Sequence, residues 1–130
     1  MRKGERIMPV YQLLSRAVQE AANYVGSPAR MSQLLLALDV KLRKVPAIGK
    51  FYPDLALMVS VVKCWGRAGF WVPQKMLLVM VGAILYLVKK YYLMPDDLPV
   101  MSIGDEVAVV GTALRIVQPE LERYRKWRDG

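Results

Sequence analysis

Histidine is absent from this 130-residue chain, and cysteine occurs once, at Cys64. The first absence removes the ordinary neutral acid–base group, the commonest zinc ligand and the base of the familiar nucleophilic triads. A lone cysteine closes no intramolecular disulfide, which excludes a disulfide-stapled secreted domain. Its neighbours Val62 and Trp65 make it read as a buried thiol. No continuous apolar core follows the basic Met1–Glu5 opening, so no signal peptide is expected. Carboxylate or lysine chemistry is left as the route to catalysis, and no enzymatic machinery or cofactor site is expected.

What the chain does have is apolar bulk and positive charge. Hydrophobic residues make up 55% of it, enough for a sizeable core and high enough to raise a membrane or oligomer interface. There are 19 Lys or Arg against 11 Asp or Glu, a formal charge of +8. The excess is uneven: nine basic residues face three acidic ones through Pro53, and ten face eight from Asp54 onward. Such a surplus attracts anionic surfaces and polymers at long range.

Helical periodicity organises the chain. Met1–Met8 reads as a loose basic lead-in, and residues 9–130 as one helical domain. Leu13, Leu14, Ala17, Val18 and Ala21 recur at helical spacing within Pro9–Val25, and Gly26-Ser27-Pro28 supplies a stop. A second helix is expected over Ala29–Val45, with Leu34, Leu35, Leu38 and Leu42 on its buried stripe. A third starts at Asp54 and buries Leu55, Met58, Val59 and Val62, with Leu57, Val61, Cys64 and Trp65 broadening that face. Phe70 and Trp71 read as packing anchors in core or interface. The fourth, Pro73–Leu93, holds the thirteen-residue uncharged run Met76–Val88. A membrane crossing takes about twenty apolar residues, so the run fits a central helix enclosed by others better than a span. A crossing stays open only if the flanking residues reach the headgroups. A last helix is expected from Asp105. The resulting expectation is an all-α, compact bundle of four or five helices closed by a C-terminal helical hairpin. Leu38, Leu42, Val59, Val62, Leu85, Val107, Val110 and Leu114 are expected in its core.

The paired segments Lys75–Leu93 and Asp105–Val117 are joined by a proline- and acid-rich connector. With Tyr86, Pro95, Asp97, Pro99, Gly104, Asp105 and Glu106, and with Pro73 and Lys75 upstream, they resemble the YkvA-like family of small bacterial helical domains of unknown function. The resemblance lies mainly within residues 54–127. This chain has a shorter connector than the family pattern, and Glu106 where a second aspartate is common. The resemblance implies an all-helical fold and, in some members, membrane association. It implies no reaction.

Two groups of residues are candidates for function. Asp96, Asp97, Asp105 and Glu106 could converge on a hard cation if the connector folds back. The blander reading makes Pro95, Asp97, Pro99, Gly104 and Asp105 the turn and cap of the last helix. Lys41, Arg43, Lys44, Lys50, Lys89 and Lys90 are the candidates for contact with a membrane or another anion. For the first three, the alternative is complementing the helix macrodipole. The sequence thus favours a non-enzymatic interaction or scaffold protein at the cytoplasmic face of a membrane. A soluble homo-oligomer or partner-binding module comes next. A nucleic-acid accessory role, through Arg123, Arg125, Lys126 and Arg128, ranks lower because no recognition motif accompanies the charge.

Overall fold

The computed structural model describes the backbone of residues 3–44, 51–65, 70–93 and 103–130. It describes the side chains of residues 10–43, 51, 53–65, 70–88 and 107–130. The described residues form five helices: α1 (Lys3–Val25), α2 (Pro28–Lys44), α3 (Tyr52–Cys64), α4 (Gln74–Leu93) and α5 (Ile103–Asp129).

Local chemistry explains most of their ends. Gly26 forms the turn after α1, and Ser27 caps α2: its Oγ accepts from the Arg30 N–H at 3.3 Å, and its carbonyl from the Met31 N–H at 2.9 Å. Pro28 then occupies the first helical position, where its missing N–H leaves nothing unsatisfied. α3 begins at Tyr52, two residues ahead of the expected Asp54, because Pro53 is tolerated in a first turn for the same reason. Its C-terminal turn closes with the Trp65 N–H on the Val61 carbonyl at 2.9 Å. Before α4, the Pro73 carbonyl accepts from the N–H groups of Met76 and Leu77.

The start of α1 differs from expectation in an informative way. α1 is helical from Lys3, whereas the sequence reading placed a loose lead-in through Met8. The lead-in contains Lys, Glu, Arg and Met, all good helix formers, and this local preference extends the helix past Pro9. α5 runs 27 residues with Pro119 inside it. Pro119 is exposed, so water can hydrate the Arg115 carbonyl that loses its helical partner.

α4 is the axis of the bundle. It packs most extensively on α1, then on α5 and α2, and more lightly on α3. α3 leans mainly on α5, while α2 and α3 scarcely touch each other. α4 and α5 form the expected C-terminal pair. The Met76–Val88 run is enclosed: Leu77, Leu85 and every residue from Met80 to Ile84 are buried, as are Tyr86 and Leu87. Among the described residues, no helix is long and apolar enough to cross a membrane.

Of the expected core, Leu38, Val62, Leu85, Val110 and Leu114 are buried. Leu42 and Val59 are only partly buried and pack against it, and Val107 is half-buried. Phe70 is buried as expected, but Trp71 is 66% exposed and is not a core anchor. It precedes Val72, which takes the inward position instead.

The α1–α4 seam depends on one small residue. A Cβ on Gly82 would lie 3.1 Å from the Val18 backbone nitrogen and 3.2 Å from the Ala17 carbonyl carbon and Val18 Cα. Backbone atoms of a packed helix cannot swing aside, so the two helices approach as closely as a glycine permits. Gly82→Val is expected to destabilise the fold by about 2–3 kcal/mol through overpacking. Gly26→Ala, with nothing within 4 Å of the added carbon, is expected to be neutral or slightly stabilising. Urea unfolding of the two variants beside the wild type checks both.

Candidate functional site

The residues singled out from sequence are distributed as follows. Asp96, Asp97, Pro95, Pro99 and Lys50 lie outside the described residues, so the convergence of acids across the connector lies outside them too. Gly104, Asp105 and Glu106 follow Ile103 in the first turn of α5, so the helix starts two residues before the expected Asp105. The side chains of Asp105 and Glu106 are outside the description. Among the described residues, no group of three or more acidic or cysteine side chains could hold a metal ion. Lys89 and Lys90 lie in the C-terminal part of α4, and Lys44 ends α2.

The end of α2 brings together the part of the basic set that is described. Lys41 is half-buried, and Arg43 is exposed, with its guanidinium 2.8 Å from the Asp39 carboxylate. Both partners of that pair are wet, at 78% and 58% side-chain exposure, so the pair contributes little to stability and yields readily to another anion. One and two turns back on the same side stand Val40 and Leu36, which are 50% and 69% exposed. Leu36, Val40 and Arg43 therefore make one outward stripe at helical spacing: two apolar side chains leading to a cation. The sequence reading missed the apolar half of it. Leu34, Leu35 and Leu36 are consecutive, and only their angular offsets show that burying Leu34 and Leu38 turns Leu36 outward.

Behind this stripe, a groove of about 840 Å³ opens between α2 and α3 with Leu77 of α4 in its lining. Leu35 and Leu42 stand on one wall and Val59 and Val62 on the other. A second hollow of about 1020 Å³ lies between α1, α3 and α5, with Asp54 and Arg115 among its lining residues. The Arg115 guanidinium there donates to the Thr112 hydroxyl at 3.2 Å.

The C-terminal basic cluster is largely engaged within the protein. Arg123 pairs with Glu120 at 2.7 Å, Arg125 with Glu122 at 2.9 Å, and Arg128 with Asp129 at 3.1 Å. Arg123 also lies 4.5 Å from the centroid of the Phe70 ring and donates to the Trp71 carbonyl. The Phe70 ring meets Tyr124 edge-on at 5.1 Å and Trp127 at 5.2 Å. This knot ties the segment ahead of α4 to the end of α5, with aromatic pairing and cation–π attraction adding to apolar burial.

Cys64, half-buried at the end of α3, joins this knot. Its thiol lies 3.7 Å from the Tyr124 hydroxyl. Burial first, and then the thiol partner, raises the Tyr124 phenol above its ordinary 10.0, against smaller opposing contributions from Ser60 and Arg128. The folded state holds this proton more tightly than the unfolded chain does. The associated stability is fully present below about pH 10 and is lost as pH rises from there through the raised folded value. Thermal melts from neutral to strongly alkaline pH should show this loss, and Tyr124→Phe should lose less stability over the same range.

No family model matches the chain, and no solved structure matches it. A curated relative, "Uncharacterized membrane protein YkvA" of Bacillus subtilis (strain 168), is 37% identical to it over 54 residues, covering 42% of this chain and 51% of the relative. The matched stretch thus spans about half the length of that relative. This partial match agrees with the resemblance to the YkvA-like family read from the sequence.

Proposed function

We propose that the protein is a non-enzymatic helical interaction module that works at the cytoplasmic face of a membrane, where the outer face of α2 meets acidic headgroups. The observation that carries this reading is the stripe of Leu36, Val40 and Arg43. An interfacial helix needs apolar groups that enter the headgroup boundary and cations that remain among the phosphates. The enclosed α4 run contributes to the core and leaves this contact to side chains on the surface. The net charge of +8 favours an anionic leaflet, and the matched relative carries the name of a membrane protein. Each cation near such a surface contributes about 1 kcal/mol, and the apolar pair adds hydrophobic transfer in proportion to the area it buries.

A soluble homo-oligomer is the second reading, because the same exposed leucine and valine would suit a second copy of the chain. The two separate in one set of measurements. Sedimentation with vesicles should show binding to acidic lipid, weakened by added salt, and little binding to neutral lipid. Leu36→Glu with Val40→Glu should lower the acidic-vesicle partition by about tenfold or more, since it removes the apolar contact and adds repulsion. Equal binding of the double variant, or a mass that rises with protein concentration in the absence of vesicle binding, would reject the membrane reading.

A further inference from the structure

We infer that the groove between α2 and α3 is a binding site for a long-chain fatty acid, with the hydrocarbon between the two helices and the carboxylate at Lys63. This goes beyond the membrane reading and does not depend on it. α2 and α3 both rest on α4 but scarcely touch each other, which leaves the gap of about 840 Å³. That volume falls within the range of about 300–1,000 Å³ typical of small-molecule sites. Leu35, Leu42 and Val59 are packed against the core on one side and face the gap on the other, so their burial is half complete. Water filling such a gap gains few hydrogen bonds, whereas a flexible hydrocarbon chain completes the packing of both walls.

Charge at the rim selects the other end of the ligand. Two charged residues line the groove, Asp39 and Lys63. Asp39 faces the Arg43 guanidinium at 2.8 Å in an exposed pair, whereas Lys63 is exposed and makes no ion pair with another described residue. The uncommitted charge is therefore a single cation beside an apolar trough. This matches one carboxylate on one hydrocarbon chain better than a peptide helix, whose flanks would need a row of rim contacts.

Trp65 lines the same groove and reports on its occupancy. In the full-length Trp71→Phe/Trp127→Phe variant it is the sole tryptophan, since the chain contains three. Palmitic acid brominated on its chain is titrated without vesicles, below its aggregation concentration, and the wild-type chain is titrated in parallel in case the variant folds poorly. The expected result is saturable quenching. Ala56→Phe should abolish it, because Ala56 is an exposed lining residue whose enlargement puts a ring into the groove. Lys63→Glu should weaken binding by about fivefold, the scale of an exposed ion pair of ~1 kcal/mol. No saturable quenching in either protein overturns the proposal. So does undiminished binding by a helical Ala56→Phe variant, or equal affinity for the methyl ester. Concentration-dependent dimerisation that Ala56→Phe disrupts, without quenching by the fatty acid, would give the groove to a second copy instead. Leu36 belongs to both the stripe and the groove lining, so vesicle sedimentation and fatty-acid titration of Val40→Glu, outside the groove, and Ala56→Phe, outside the stripe, keep the two proposals separate.

Discussion

The bundle depends on how closely α1 and α4 approach at Gly82. With no side chain there, the backbone of α4 lies so near Ala17 and Val18 that an added Cβ would stand 3.1–3.2 Å from their backbone atoms. This approach dries one face of α4, and α2 and α5 dry much of the rest. A helix with thirteen consecutive uncharged residues has little polar surface to present to water. It needs neighbours on several sides, and the five-helix arrangement supplies them. The other helices take their places from that requirement, including α3, which leans on α5 and reaches α4 only lightly.

Enclosing α4 changes how the composition should be understood. A 55% apolar chain suggests a greasy exterior, but most of the surplus is consumed in the core. Among the described residues, the large apolar side chains left exposed are Leu36 and Val40 on α2, Trp71 ahead of α4, and Tyr11, Ile116 and Trp127 elsewhere. Positive charge is sorted in a similar way. Arg123 in the α5 tail is held by Glu120 and by the Phe70 ring, while Arg43 at the end of α2 has one weak exposed partner. Apolar exposure and loosely held charge coincide on α2, and that coincidence supports a surface role there.

Much of the fold was legible because burial follows helical period. Leu13, Leu14, Ala17 and Ala21 form one buried face of α1, and the uncharged run of α4 is the central helix. Ser27 and Pro28 mark a helix start through hydrogen bonding that depends only on neighbouring residues. The aromatic knot was harder to see. Cys64, Phe70 and Tyr124 are far apart along the chain, and no periodicity within one helix announces that α3, α5 and the segment before α4 meet. The exposure of Trp71 was missed for a related reason: Phe70, Trp71 and Val72 are all large and apolar, and outside a helix no regular period says which of them faces in.

The sequence by itself determined the helical class, the approximate helix boundaries and the lack of histidine-based chemistry, and it favoured enclosure of Met76–Val88 over a membrane crossing. These follow from local stereochemistry, side-chain period and inventory, which a chain carries before it folds. Only the tertiary structure decided that α2 and α3 stand apart, that Leu36 and Val40 face outward beside Arg43, and that Asp39 is occupied while Lys63 is not. Those outcomes depend on which helices share α4 and at what separation, and spacing along a single strand of sequence does not encode the width of a gap between two helices.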